Sequence, residues 1–321
     1  MDIKWQALGL TAIMLLSITV TTRRGSEPED NVPRRTMISD VSAETGSPPT
    51  PFQDGLASLR DPSYQVTPGP VRNWEILEPE VSAHSVLLQS LDDSFPFFHR
   101  ETYLAWPAAS LTKLLTSVVV LEEIGENKKV TVGERAVATE GIAGDLKDGE
   151  IYSAQDLLKI MLLTSSNDAA TAFEDYLGGT DEFIRRMNRK ARELQMSGSI
   201  FYDASGLSDL NMTTASDMLR LTKYILENEP EIIQWTRLPS FLVQPVNSLE
   251  SRLVYSINPF VEDEYFLGGK TGTSPRAEEN FVALFSLGKY RALLILLGSR
   301  NRVGETKRIL EWVAQAYNLN F

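Results

Sequence analysis

Apolar or alternating runs of residues occur in two pairs of short segments that lie far apart along the chain. Residues 83–90 (AHSVLLQS) and 97–104 (FFHRETYL) are apolar or alternating runs, separated by the polar segment LDDSFP. This pattern predicts a β-hairpin, because a half-buried strand turns every second side chain inward. Near the carboxyl end, residues 280–287 and 291–297 lie on either side of Gly288-Lys289-Tyr290 and predict a second hairpin.

Between the hairpins the hydrophobic period becomes that of a helix, with apolar residues three or four positions apart. The predicted helices cover residues 110–124, 154–163, 180–194 and 215–228, and a closing helix covers 304–317. The order is therefore strands, a block of helices, more strands and a helix. It predicts an α/β (α+β) fold: a mainly antiparallel sheet flanked by helices, with an inserted helical subdomain.

The first 73 residues follow a different pattern. Residues 5–20 carry no charge and would span about 24 Å as a helix, close to the hydrocarbon core of a bilayer. We expect residues 1–22 to be a signal peptide or an uncleaved anchor, and the missing A-x-A cleavage pattern favours the anchor. Residues 23–73 hold eight of the 16 prolines and predict a disordered linker. Residues 74–321 then form the folded domain.

Composition excludes several classes of function. The net charge is −12 and no basic stripe is visible, so the sequence lacks the electrostatic signature of a nucleic-acid-binding protein. Cysteine is absent, so disulfides, thiolate nucleophiles and cysteine-bearing zinc sites are excluded. The two histidines, His84 and His99, both lie in predicted strands. A hydrolytic site would therefore activate its nucleophile without histidine. No metal or organic cofactor is indicated.

The first candidate motif is Ser110-Leu111-Thr112-Lys113, at the start of a predicted helix. Residues three apart share a helix face, so Lys113 can reach the Ser110 hydroxyl. The free N–H groups of a first helical turn favour a developing oxyanion there. Ser-x-x-Lys is common by chance, and Ser286-Leu287-Gly288-Lys289 also matches. We discount this second match because it lies at the end of a strand, with its lysine in the turn.

Two further motifs follow along the chain. Ser165-Ser166-Asn167 lies between two helices, where a hydroxyl and an amide could project into one cleft or simply cap a helix. Ser256-Ile257-Asn258 and Ser299-Arg300-Asn301 match the same pattern, so this motif alone is weak. Lys270-Thr271-Gly272-Thr273 is rarer, and the glycines before and within it allow a ligand to approach the backbone.

The order and spacing of the three motifs carry the functional hypothesis. Ser-x-x-Lys, Ser-x-Asn and Lys-Thr-Gly follow one another with gaps of 55 and 105 residues, as in the penicillin-recognising serine enzymes. From about residue 74 to 319 the chain resembles the low-molecular-mass penicillin-binding proteins, the serine-type D-Ala-D-Ala carboxypeptidases, with their β-lactamase/transpeptidase-like fold. The resemblance extends to residues 107–114 (PAASLTKL), 167–170 (NDAA), 201–207 (FYDASGL), 213–217 (TTASD) and 269–274 (GKTGTS).

The resemblance implies a role for each matching residue. Ser110 would attack the carbonyl carbon of the penultimate D-Ala, and Lys113 would accept the serine proton. Ser165 and Lys270 would help to pass that proton to the leaving amine, and water would hydrolyse the acyl-enzyme. The backbone N–H groups of Ser110 and Thr273 would form the oxyanion hole. The implied substrate-binding residues are Asn167, Lys270, Thr271, Gly272, Thr273 and Arg302.

Physical chemistry supports this use of lysine. Two lysines in one small cleft disfavour each other's charged form and so lower each other's pKa values. A partly desolvated Lys113 could then act as a neutral base near pH 7. The resemblance also implies a peptidoglycan stem peptide as substrate and β-lactam antibiotics as covalent inhibitors. We expect a location in the cell envelope, tethered to the cytoplasmic membrane through the amino-terminal segment or secreted.

The sequence departs from the family pattern at two points. Only 48 residues follow Thr273, so the β-rich carboxy-terminal domain of many members is not expected. Glu278 and Glu279 replace small residues after the third motif, which puts two acids near the rim of the site.

Three alternatives stay open at this point. A D,D-endopeptidase that cuts cross-links would use the same residues. A serine β-lactamase shares the three motifs, although the Glu-x-x-x-Asn segment of the commonest such enzymes is not found between the second and third. An inactive wall-binding module is the remaining alternative. It is disfavoured because both Ser110 and Lys113 are retained.

Overall fold

A five-stranded antiparallel sheet forms the centre of the fold in the computed structural model, which describes residues 69–141 and 143–320. Adjacent strands pair in the spatial order β2, β1, β11, β10, β9. In the same order, their bounds are Pro96–Arg100, Ser85–Ser90, Tyr290–Ser299, Glu278–Leu287 and Phe266–Ser274. The first and second strands of this order, and the third and fourth, are the two hairpins expected from the sequence.

Three short two-stranded ladders lie outside this sheet. The first pairs β3 (Trp106–Pro107) with β6 (Met212–Thr213). The others pair β4 (Lys129–Thr131) with β5 (Ile151–Ser153), and β7 (Ser240–Val243) with β8 (Arg252–Tyr255).

The helices between β2 and β9 form the inserted helical part. A 3₁₀ turn at Ala109–Leu111 leads into the first of them. They are α1 Thr112–Glu123, α2 Glu134–Val137, α3 Ala154–Thr164, α4 Asn167–Tyr176, α5 Thr180–Glu193, α6 Ala215–Asn228 and α7 Glu231–Thr236. The closing helix α8 covers Arg302–Tyr317. An antiparallel sheet with flanking helices and a helical insertion confirms the predicted fold class.

Both faces of the sheet are covered by helices. On β11, Leu293, Ile295 and Leu297 belong to the core shared with α1 and the other inserted helices. Leu294 and Leu296 point to the opposite face and belong to a second core, shared with α8. Because both faces of this strand are buried, its sequence reads as a nearly continuous apolar run. The sheet thus lies between two layers of packed side chains, which hold its strands rigidly.

Helix α8 begins two residues earlier than the pattern predicted. The Asn301 side chain accepts a hydrogen bond from the backbone N–H of Gly304 at 2.8 Å and so caps the helix. Arg302 is therefore the first helical residue, next to the end of β11. This position brings its side chain to the edge strand β9, as described below.

The predicted anchor at residues 1–22 lies outside the described residues, as does the predicted linker up to residue 68. Of the remaining linker residues, Asn73 donates its backbone N–H to Ala316 O at 2.7 Å. Arg72 packs its guanidinium over the ring of Trp312. Within residues 69–141 and 143–320, no helix combines the length and hydropathy needed to span a membrane.

Candidate active site

Ser110 lies in the 3₁₀ turn that precedes α1, on a strongly constrained segment. Asn280 on β10 donates its side-chain amide to the carbonyl oxygens of Pro107 and Ala108, at 2.7 and 3.1 Å. Ala109 takes a φ of 46°, in the left-handed region that non-glycine residues rarely adopt. Strain of this kind persists only where the surrounding structure holds it, and it concentrates at functional sites. The turn therefore holds Ser110 in a fixed position.

Lys113 contacts Ser110 from one helical turn further along. Its Nζ atom lies 3.1 Å from Ser110 Oγ, 2.7 Å from Asn167 Oδ1 and 2.5 Å from the carbonyl oxygen of Ser205. A neutral amine has two N–H donors and one lone pair. Asn167 and Ser205 can accept both N–H groups, which leaves the lone pair for the Ser110 hydroxyl. The three contacts therefore suit a lysine that acts as a base.

Burial makes the neutral form of Lys113 accessible. The side chain is fully buried, and desolvation lowers its pKa to about 7. The carboxylate of Asp203 acts in the opposite direction and raises the pKa. Near neutral pH a large fraction of the molecules then carries an unprotonated amine next to the serine.

Ser165, the first residue of the second motif, contacts Lys270, the first residue of the third. Ser165 ends α3 in a left-handed conformation, with a φ of 61°. Its Oγ lies 2.9 Å from Nζ of Lys270 on β9. Lys270 is buried, and burial lowers its pKa well below the ordinary value, with further lowering by the charges of Lys113 and Arg302. The two lysines therefore share one electrostatic environment.

The two other residues of the second motif have different roles: Ser166 caps a helix, and Asn167 contacts the site. Ser166 is the N-cap of α4, where its side chain accepts from Ala169 N at 3.1 Å. Asn167 turns the other way: besides accepting from Lys113, it donates to Glu140 O at 2.8 Å. Asn167 thus orients Lys113, a contact that sequence reasoning had not assigned to it.

Strand β9 brings the third motif alongside the Ser110 turn. A Cβ atom added at Gly272 would lie 3.0 Å from Ala108 O and 3.2 Å from Ser110 N. Glycine therefore permits the close approach of the two backbones. Thr271 is buried on the same strand, whereas the next threonine, Thr273, is exposed.

Arg302 reaches the same strand from the start of α8. Its Nη1 donates to Gly272 O at 2.8 Å and to Asn280 O at 2.9 Å, and its Nη2 donates to Thr273 Oγ1. Glu279 accepts the backbone N–H of Arg302 at 2.8 Å. The structure thus brings Arg302 to Thr273 and to one of the two acids expected at the rim.

Sequence reasoning missed the roles of the loop at residues 203–208, although it quoted part of this segment. The Asp203 carboxylate accepts backbone N–H groups along the loop, which belong to Ser205, Gly206, Leu207 and Ser208. These bonds shape the loop so that the Ser205 carbonyl points at Lys113. The Asp-x-Ser-Gly-Leu pattern was the available signal, because aspartate and glycine favour such turns.

Gly206 packs its backbone directly against the Ser110 turn. Replacement of Gly206 by alanine is expected to slow acylation of Ser110 about tenfold or more. Its φ is +87°, and an added Cβ would lie 1.9 Å from Ala109 O, which forces the two backbones apart. Gly125→Ala is the matched control, because Gly125 has the same φ with nothing within 4 Å of the added Cβ. The measurement is the rate of covalent labelling by a fluorescent penicillin. Equal rates in the two variants would contradict the expected role.

The competing Ser-x-x-Lys match lies outside this site. Ser286 is on β10 and Lys289 is in the turn that follows, with its ammonium 5.0 Å from the Tyr290 ring. The His84 ring stacks on the Trp106 ring, with the two ring centroids 4.1 Å apart. In the part of the chain that the structure describes, no three acidic or histidine side chains converge on a metal-sized site.

Residues 75–301, which hold all the candidate site residues except Arg302, match the model of the peptidase S11 family, D-alanyl-D-alanine carboxypeptidase. The chain belongs to this family. The D-alanyl-D-alanine carboxypeptidase DacC of Escherichia coli K12 is 34% identical over 221 residues, which are 64% of this chain and 54% of DacC. The chain therefore spans about half the length of this relative.

Solved structures of similar proteins have the same fold. The D-alanyl-D-alanine carboxypeptidase of Mycobacterium tuberculosis H37Rv superposes with a TM-score of 0.69 at 26% identity, over 76% of this chain and 95% of that chain. Penicillin-binding protein D2 of Listeria monocytogenes, in a cefotaxime-bound form, has a TM-score of 0.64 at 26% identity, over 74% and 99% of the two chains.

Proposed function

We propose that this protein is a serine D-Ala-D-Ala carboxypeptidase that removes the terminal D-Ala from peptidoglycan stem peptides. The observation that carries the proposal is the 3.1 Å contact between Ser110 Oγ and a buried Lys113 whose pKa is lowered to about 7. Membership of the S11 family supports the substrate class. The cefotaxime-bound relative supports β-lactams as covalent inhibitors.

Acylation begins with attack of Ser110 Oγ on the carbonyl carbon of the penultimate D-Ala, while the hydroxyl proton moves to Lys113 Nζ. The oxyanion that forms is stabilised by the backbone N–H groups of Ser110 and Thr273. When this intermediate collapses, the C–N bond to the terminal D-Ala breaks. The leaving nitrogen takes the proton that Lys113 accepted, passed on through Ser165, whose hydroxyl is hydrogen-bonded to Lys270, and Lys113 is then neutral again.

Deacylation reverses these roles. Water attacks the ester carbonyl and gives a proton to Lys113, and the C–O bond to Ser110 breaks as the serine regains its proton.

Asn167 holds the peptide amide, and the backbone of Thr271 and Gly272 lines the same strand edge. The terminal carboxylate binds Thr271, Thr273 and Arg302, where the guanidinium supplies the positive charge.

The proposed place of action is the extracytoplasmic cell envelope, where the stem peptides are found. In this proposal the hydrophobic segment at residues 5–20 attaches the protein to the cytoplasmic membrane or exports it.

The test compares three substrates with purified full-length protein. We expect release of one D-Ala per molecule of an N-acylated L-Lys-D-Ala-D-Ala peptide, with slow cleavage of a cross-linked muropeptide dimer and a single slow turnover of nitrocefin. Faster cleavage of the dimer would establish the endopeptidase alternative. Sustained nitrocefin hydrolysis without D-Ala release would establish the β-lactamase alternative. Ser286→Ala, in the discounted Ser-x-x-Lys match, is the control that should retain full activity.

A further inference from the structure

Glu279 makes two contacts with Arg302. One carboxylate oxygen, Oε2, accepts the Arg302 backbone N–H at 2.8 Å and lies 3.4 Å from the guanidinium Nε. The Arg302 side chain is 12% exposed and that of Glu279 is 35% exposed. The ion pair is therefore only partly screened by water, and its electrostatic influence on a neighbouring ligand is larger than that of a fully exposed pair.

The other partners of the Arg302 guanidinium are uncharged. They are the carbonyl oxygens of Gly272 and Asn280 and the hydroxyl of Thr273. Among the ion pairs of the described residues, Glu279 supplies the acidic partner of Arg302. The positive charge that would receive a substrate carboxylate is thus already balanced, in part, by a carboxylate of the protein.

We propose that Glu279 determines specificity for the leaving residue: the enzyme favours a terminal D-residue whose side chain is neutral or cationic and discriminates against one that carries a second carboxylate. This inference rests on the proposed function, because it takes the terminal carboxylate to bind at Arg302 and Thr273. It assigns to the same site a preference that the three motifs do not encode.

The preference follows from covalent geometry and electrostatics. The side chain and the carboxylate of a terminal amino acid share one Cα atom, so a carboxylate held by Arg302 brings the side chain close to Glu279. A second carboxylate there would be repelled by Glu279 within the Debye length of about 8 Å. An ammonium group would be attracted. Unfavourable like charges are a common source of specificity in binding sites.

Glu279→Gln tests this by removing the charge and keeping the shape. The amide oxygen can still accept from the Arg302 backbone and side chain, so the orientation of Arg302 is retained. We measure kcat/KM for release of D-Glu, D-Ala and D-Lys from otherwise identical acyl-D-Ala-D-Xaa peptides. The ratio of the D-Glu value to the D-Lys value is expected to rise about tenfold in the variant.

Glu278→Gln is the matched control. It removes the same charge one residue earlier on β10, where the side chain has no ion pair with Arg302 among the described residues. We expect its D-Glu to D-Lys ratio to stay within twofold of wild type. Equal ratios in wild type and in Glu279→Gln, with cleavage of the D-Ala peptide intact, would overturn the inference and leave the proposed function standing.

Wild-type protein provides a second test that does not depend on folding of the variant. Its preference for D-Lys over D-Glu is expected to shrink between 50 mM and 500 mM salt, because salt screens the interaction with Glu279. A preference that does not change with salt, or one that favours D-Glu, would also overturn the inference. Failure to cleave any peptide, together with no labelling by penicillin, would instead refute the proposed function, and the inference would fall with it.

Discussion

Replacement of Lys113 by methionine is expected to slow acylation of Ser110 by a penicillin about a thousandfold at pH 7.5. Methionine fills a similar volume in the fully buried site but has no lone pair to take the serine proton. Lys113→Arg tests the same point with the positive charge retained, because a guanidinium stays protonated at this pH. The measurement is the second-order rate of covalent labelling by a fluorescent penicillin.

Lys289→Met is the control for this experiment, because Lys289 belongs to the discounted motif match and lies in the β10–β11 turn. We expect it to label at the wild-type rate. Labelling of folded Lys113→Met within tenfold of wild type would show that another group acts as the base.

The second large effect is on pH dependence. The acylation rate of wild type should rise with pH through about 7, where Lys113 loses its proton, and reach a plateau above it. The sign follows from the reaction: the base must be neutral, so acid removes the active form. Two pH units below the pKa, a tenfold loss per unit predicts a rate about a hundredfold below the plateau.

Circular dichroism at each pH separates this titration from acid unfolding. A constant rate between pH 5 and pH 9, with the fold intact, would contradict a lysine base. In Asp203→Asn the midpoint should move to lower pH, because the Asp203 charge raises the Lys113 pKa in the wild-type protein.

The parts of the fold that were predictable are those with a strong local pattern. The hairpins of β1–β2 and β10–β11 followed from apolar or alternating runs on either side of a short polar segment or turn, and α6 follows the predicted range at both ends. Strand β9 was harder to predict, because its glycine-rich segment has no alternation. The ladders of two or three residues, such as that of β3 and β6, are too short to leave a period in the sequence.

The site was predictable where spacing along one element decides geometry. Ser110 and Lys113 are one helical turn apart, so their contact follows from the helix. The Ser205 carbonyl reaches Lys113 from 92 residues away, because the Asp203 carboxylate bends its loop. That contact depends on a backbone oxygen, so the Asp-x-Ser-Gly-Leu pattern indicates the turn but not its contact with Lys113.

The pairing of Glu279 with Arg302 shows the same limit. The sequence indicated that Glu279 lies near the site, since it follows the third motif. Its partner comes from the start of α8, and this start depends on the Asn301 cap. The pairing of Glu279 with the Arg302 guanidinium therefore depends on tertiary structure.

The most direct test of the account is to locate the covalent bond. Full-length protein is treated with excess penicillin, quenched in acid, digested, and analysed by mass spectrometry. We predict one penicilloyl adduct per molecule, on the hydroxyl of Ser110, and none in Ser110→Ala. An adduct on any other residue of the wild type, or undiminished labelling of Ser110→Ala, would contradict the account.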